Sequence, residues 1–219
     1  MAKPLIFSLQ TTTMHQPSLR NCTPNDAHWA VPLIYASGPD AFDYVFQTKN
    51  QKAQEFLSFA FKRKGGEFSF DNHYALTLEG RPIGIGAIFD GKKALGFPLT
   101  DAQNIMRYYK LQSPQVLVKG LRTEKIIQPP KTFEHSLVHL AIDPQLRGQG
   151  LGTTLVALLM QQLPLGAMGE KFVLDVSLEN PRAKKLYKTL GFKVSKTIQS
   201  TLKNQYGHVP SHHRMELAG

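Results

Sequence analysis

Two periods of apolar and polar residues alternate along the chain, and each change of period marks a predicted element. After Thr23-Pro24-Asn25-Asp26, the residues Ala27, Ala30, Val31 and Ile34 recur at helical spacing. Thr23 reads as the helix N-cap and Pro24 as its first residue. Pro32 lies inside that run, so a kink or an early end is expected. Ser37-Gly38-Pro39-Asp40 is a turn, and Phe42, Val45 and Phe46 suggest a short helix after it. Lys49–Phe61 carries one stripe of Ala53, Phe56, Leu57, Ala60 and Phe61. A stripe of that kind is core rather than a ligand surface. Strand periodicity appears at Met14–Asn21 and again from His73, where two strands join at Glu79-Gly80-Arg81-Pro82. Residues 1–13 read as a polar, flexible arm.

The segment Gly91–Phe133 interrupts this run of strands. Within it, Thr100–Leu111 reads as a helix capped by Thr100, with Ala102, Ile105, Met106 and Tyr109 on one face. Ser113–Ile127 reads as a second, with Val116, Val118 and Leu121 apolar. Leu137–Gly152 follows: an apolar strand into Asp143-Pro144, then Arg147, then Gly148, Gly150 and Gly152 at alternate positions. The amphipathic LGTTLVALLMQQL begins at once. Lys171–Ser177 reads as a buried strand. Asn180 caps a helix with Ala183, Leu186, Tyr187 and Leu190 on one face, and Gly191 ends it. Phe192–Gln199 and His213–Leu217 read as a closing hairpin with a long, His-rich loop. No internal repeat or long linker appears, so residues 14–219 are expected to form one domain.

Strand, glycine-rich loop and helix in that order bring backbone N–H groups to a helix N-terminus, a ready site for phosphate. A dinucleotide fold is the nearest competitor, and Asp175 offers the acid in a later strand. The spacing here is Gly-x-Gly-x-Gly rather than Gly-x-Gly-x-x-Gly. The position two-thirds along the chain also leaves no room for a doubly wound sheet. No Gly-Lys-Ser/Thr is present, which excludes a Walker loop.

Composition narrows the field further. In 219 residues, a hydrophobic share of 42% and a charged share of 19% are globular values. No apolar run approaches the ~18 residues that span a bilayer, so no membrane partner is expected. The single Cys22 excludes an internal disulfide framework, fits a reducing cytoplasm, and reads as a small apolar filler. The net charge of +10 would attract nucleic acid, or serve a polyphosphate ligand or an acidic substrate. Without a basic tail or a nucleic-acid motif, nucleic acid is disfavoured. A merely solvated basic surface stands as an equal alternative. His208, His212 and His213 read as loop or surface residues, since adjacent histidines on a strand face opposite ways; no metal is expected.

Residues 136–192 resemble the GNAT superfamily, which transfers acyl groups from coenzyme A to amines. Its Arg/Gln-x-x-Gly-x-Gly/Ala signature stands here as Gln145-Leu146-Arg147-Gly148-Gln149-Gly150, and the strand His139–Pro144 resembles the lead-in. The second signature, an Asn followed by a Tyr-bearing helix ending in Gly-Phe, stands at Asn180–Phe192. The resemblance implies a mixed, mostly antiparallel sheet of six to seven strands flanked by helices. Against it, 91–133 is a helical insertion between the third and fourth strands, where the family has a short hairpin.

The resemblance further implies acetyl-CoA as cofactor. Its pyrophosphate would lie on the amides of Arg147, Gly148, Gln149, Gly150, Leu151, Gly152 and Thr153, with Gln145 as a polar contact. Its pantetheine arm would pair with Leu140, Ala141 and Ile142, and Asn180 joins the same set. The cofactor would lie where that strand splays from the strand carrying Val173–Val176. Tyr187 matches the family's acid for the departing thiolate, with simple core packing as the alternative. The base is open. The family glutamate position holds Ser136, which leaves Glu134 on the same strand face, His139 at the strand centre, or a bound water; a strand bulge could reorient either side chain. The expected activity is N-acetyl transfer to an amine acceptor by direct attack. The alternative is a non-catalytic, coenzyme-A-binding regulatory module. The insertion is expected to be a lid or an acceptor wall, with extra core or a homodimer surface as the alternatives.

Overall fold

A computed structural model describes residues 16–166 and 168–218; the expected arm at 1–13 lies outside them. Strand β1 (Ser18–Asn21) leads through a 3-10 turn at Pro24–Asp26 into α1 (Ala27–Ala36), α2 (Pro39–Phe46) and α3 (Ala53–Phe61). The hairpin of β2 (His73–Leu78) and β3 (Arg81–Asp90) follows. Glu79 and Gly80 close it with φ of 51° and 77°, the doubly left-handed turn that matches strand twist. Helices α4 (Gly91–Ala94), α5 (Phe97–Tyr109) and α6 (Ser113–Thr123) fill the insertion. Then come β4 (Glu134–Ile142), α7 (Leu151–Gln162), β5 (Lys171–Ser177), α8 (Pro181–Thr189), β6 (Lys193–Ile198) and β7 (His212–Ala218).

The strands form one seven-stranded sheet in the order β1-β2-β3-β4-β5-β7-β6. Only β4 and β5 run parallel; every other pair is antiparallel. This is the mixed architecture expected from the sequence. Leu76, Leu137, Leu155, Leu159, Leu174 and Phe192 form the core on the α7 and α8 side. On the other side, Ala75, Ile85 and Ala141 of the sheet meet Ile34, Phe56 and Phe61 of the N-terminal helices, with Ile105, Tyr109 and Val116 of the insertion. The insertion is therefore part of the core on that face.

Local expectations shift in three places. Pro32 neither ends α1 early nor stops it before Ala36. Burial of Ala27, Ala30, Val31 and Ile34 holds the helix, and His28, whose carbonyl loses its partner, is exposed. Helix α5 starts at Phe97 rather than Thr100, because Phe97 packs edge-on against Phe89 at 4.9 Å. Pro98 sits in the first turn, where its missing N–H costs nothing. Met106, Val118 and Leu121, which the sequence groups with the apolar positions of their helices, are exposed, and Leu111 stands almost fully in solvent.

Candidate active site

The parallel pair β4–β5 is joined only at Glu134 with Lys171, His135 with Phe172 and Ser136 with Val173. Beyond Ser136 the strands part. Leu137–Ile142 of β4 then has only β3 beside it, and Leu174–Ser177 of β5 pairs only with β7. A cleft opens between two strand edges. Asp143 N–H bonds back to Ile83 O of β3 at 2.9 Å. Strand alternation therefore turns the N–H and C=O of Ile142, and those of Leu140, toward the cleft. Ile142 O accepts from Arg147 Nε there at 3.2 Å.

The glycine-rich loop lies at the end of β4. Asp143 accepts from Gln145 N–H at 2.9 Å and starts a tight turn at Pro144–Leu146. Gly150 precedes α7 with φ +81°, a conformation that a side chain would strain. The first helical bonds run from Thr153 and Thr154 N–H to Gly150 O at 3.0 and 3.2 Å. The amides before them have no intrahelical partner and sit at the positive end of the helix. A Cβ at Gly152 would come within 2.9 Å of Leu186 Cδ1, so the glycine lets α8 close over the loop. A Cβ at Gly148 would sit 3.5 Å from Arg182 Nη2. Arg182 thus brings a guanidinium to the loop at Gly148, and no sequence spacing marked it.

Asn180 Oδ1 caps α8 by accepting from Ala183 N–H at 3.0 Å, and the side chain remains exposed. Tyr187, half-buried on α8, meets Phe192 edge-on at 6.2 Å. Burial pushes its hydroxyl up to about 12, so it carries its proton through the neutral range.

The two expected base candidates part company. Glu134 lies where β4 and β5 are still paired, and only 2% of it is exposed. Its carboxylate accepts from Arg214 Nη2 at 2.7 Å and from Lys131 N–H at 3.0 Å, with Lys171 Nζ at 3.7 Å. Arg214 also binds Asp175 and Gln128 O, both at 2.7 Å. Glu134, expected as a candidate base, lies in a buried ion network, its oxygens held by Arg214, Lys131 N–H and Lys171 before the cleft opens. Asp175 belongs to the same network.

His139 sits at a bulge. Ile85 pairs with Ala141 but Ala87 pairs with Val138, so two β4 residues oppose one on β3. His139 takes φ +54°, a strained value for a residue with a side chain. The bulge turns the ring onto the face of the N-terminal helices, among Phe42, Phe68 and Phe89. His139 Nδ1 lies 3.0 Å from His73 Nε2, and His73 Nδ1 lies 2.8 Å from Ser69 O. His139 Nε2 is 3.6 Å from Glu67 Oε1. Burial lowers His73 to about 4 and holds His139 well below its ordinary value, so both rings are neutral near pH 7. Desolvation, with Asp101 and Glu124 nearby, raises Glu67 to about 8. Neither Glu67 nor His73 was marked by any sequence spacing; the fold joins His73 and His139 across 66 residues.

Among the described residues, no group of three or more His, Cys, Asp or Glu could hold a metal ion. Nor is any helix there long and apolar enough to cross a membrane. His213 instead meets Lys184 Nζ and Thr197 Oγ1, both at 2.8 Å.

The family model for the acetyltransferase (GNAT) family matches residues 40–192, more than half of the chain. The chain belongs to the GNAT acetyltransferase family. Among solved structures, an N-acetyltransferase from Staphylococcus aureus Mu50 superposes on this GNAT chain with a TM-score of 0.68 at 18% identity, covering 91% of this chain and 99% of that one. The Drosophila melanogaster polyamine N-acetyltransferase, which catalyses formation of N-acetylagmatine, gives 0.53 at 16%, covering 93% and 100%. The Vibrio cholerae spermidine N-acetyltransferase, in complex with CoA and spermine, gives 0.50 at 17%, covering 92% and 95%. At these identities the likeness shows a shared fold. A comparison with curated proteins finds no match.

Proposed function

We propose that this GNAT acetyltransferase moves an acetyl group from acetyl-CoA to a primary amine by direct attack within the β4–β5 cleft. The observation that carries the reading is the parting of β4 from β5 beyond Ser136, next to a loop of free amides flanked by Arg147 and Arg182. The residues fit the cofactor. The amides from Arg147 to Gly152 would take its pyrophosphate, the Thr153 N–H being committed to Gly150 O, with Gln145, Gln149 and Asn180 as exposed polar neighbours. Leu140 and Ile142 would offer N–H and C=O to its amide-bearing arm as an added strand would.

Bound acetyl-CoA supplies an activated thioester carbonyl. The N–H of Leu140 or Ile142 donates to the oxygen that becomes negative as the carbonyl is attacked. His139 Nε2 accepts a proton from the acceptor ammonium, freeing the nitrogen lone pair. Tyr187 gives its proton to the leaving sulfur. The acceptor amine would approach from the face of α2, α3 and the insertion, where His139 lies. Polyamine and agmatine acetylation by fold relatives supports an amine acceptor. So does Glu67, a carboxyl 3.6 Å from His139 Nε2 with Asp101 and Glu124 near it, on a chain of net charge +10.

Thiol release from acetyl-CoA, measured across monoamines, polyamines, amino acids and peptide N-termini, tests this reading. Amine-dependent, saturable release is expected. Tight acetyl-CoA binding with no release on any amine would instead favour a regulatory coenzyme-A-binding module.

A further inference from the structure

The hydrogen-bond chain behind His139 fixes more than its position. His73 Nδ1 faces only a carbonyl, Ser69 O, at 2.8 Å, so that nitrogen carries the proton. Neutral His73 then presents a lone pair at Nε2. His139 Nδ1, 3.0 Å away, must donate to it. The two rings lie within 9° of parallel. His139 is left with its lone pair on Nε2, the atom 3.6 Å from Glu67 Oε1. The imidazole side chain is only 7% exposed, whereas the Glu67 side chain is 43% exposed. One end of the chain is anchored on buried backbone, and the other opens to water.

We propose that His73 and Glu67 are positioning residues that make His139 a one-way proton acceptor. His73 locks the Nδ1–H tautomer, and the Glu67 carboxylate receives the proton that Nε2 takes and passes it to solvent. The assignment rests on the amine-acetyltransferase reading of the cleft.

The proton count closes. The acceptor ammonium gives one proton to His139 Nε2, which hands it to ionised Glu67. The freed nitrogen pair forms the C–N bond as the C–S pair leaves on sulfur, and sulfur takes the Tyr187 proton. A second proton from the same nitrogen restores Tyr187, and Glu67 releases the first to water. Net, one proton leaves for each amide made.

The groups facing this chain set its pH range. Phe42 of α2, Phe68 and Phe89 of β3 surround the His139 ring without charge. Asp71 lies near His73. Asp101 of α5, which accepts from Glu67 N–H at 3.0 Å, and Glu124 after α6 face Glu67 and disfavour its charge. Glu67 is therefore held above the ordinary carboxylate range, and the relay accepts protons above that raised value rather than below it.

Two measurements decide the matter. Long-range 15N–1H spectra of histidine-labelled wild-type protein should show His139 with Nδ1 protonated and Nε2 bare; an Nε2–H tautomer overturns the proposal. The pH profile of kcat/KM should rise through about pH 8 in wild type, and that limb should vanish or move by at least about one unit in Glu67→Gln. His73→Phe should lower kcat by about 10²-fold with the KM for acetyl-CoA unchanged, while His73→Gln, which keeps an acceptor for Nδ1–H, recovers much of it. Turnover with superimposable wild-type and Glu67→Gln profiles overturns the relay and leaves the acetyltransferase reading intact. Acetyl-CoA binding with no turnover on any amine overturns both.

Discussion

Single side chains in this protein act through the few atoms they face. Tyr187 keeps its proton because burial opposes the phenolate. Tyr187→Phe should lower kcat by about 10²-fold in steady-state assays while acetyl-CoA affinity in a calorimetric titration stays within about twofold. Asp26 shows the opposite perturbation. Arg20 holds it through two 2.8 Å bonds, and Trp29 Nε1 donates at 2.9 Å, which drives its carboxyl far below the usual range. A lowered folded value means that its stabilisation is complete above the unfolded pKa of about 4 and is lost as pH falls below it. Asp26→Ala should cost about 2 kcal/mol in urea unfolding at pH 7, with the difference shrinking below about pH 4. His73 loses stability over a different window. Its folded value of about 4 lies below the unfolded value of about 6.5, so the unfolded chain binds more protons between them, and stability should fall as pH drops through that interval. Unfolding midpoints from pH 4 to 7 should show the slope, and His73→Gln should flatten it. His139 was readable as a candidate from its place in the strand. The direction of its ring was not, because a bulge shifts the phase of every side chain after it.

At the scale of elements, the cleft depends on where β4 and β5 stop pairing. Arg214 of β7 reaches Glu134 of β4 and Asp175 of β5 at 2.7 Å each, and Lys171 of β5 meets Glu216 of β7 at 2.8 Å. These ions join three strands where the pairing ends. Arg214→Leu should cost about 3–5 kcal/mol, since it strips the cation from buried Asp175 and leaves buried Glu134 with only the Lys131 N–H and the more distant Lys171. Paired substitution with Glu134→Gln should recover part of that loss in the same unfolding assay. The glycine loop and the capped α8 were legible in sequence because their cues are local: an N-cap, a proline, a glycine placed for one conformation. The ion network was not, because Glu134, Asp175 and Arg214 meet only once the sheet is assembled. The insertion was legible as helical but not in its apolar face. Val116 and Ile105 pack inward, while Met106, Val118 and Leu121 remain in water, and tertiary packing alone decides between them.

The whole molecule is a twisted sheet held between α7 with α8 on one face and the N-terminal helices with the insertion on the other. That architecture was legible from two motifs in the right order. The insertion was legible as a candidate acceptor wall, but the side chains of the proposed acceptor face were not, because α2, α3, their loop and the insertion carry no motif. Net charge of +10 is a property of the whole surface, whereas Asp101 and Glu124 gather near Glu67, the acid that meets His139. A cationic acceptor is therefore expected on one side of the sheet and a polyphosphate at the glycine loop. Everything proposed for the cleft depends on acetyl-CoA lying between β4 and β5 with its phosphates on that loop. Amide hydrogen exchange with and without acetyl-CoA measures this directly. New protection is expected at Leu140, Ile142 and Gly148–Gly152, with little change at β1 and β2; protection confined to other segments, or none at a saturating concentration, would contradict this placement.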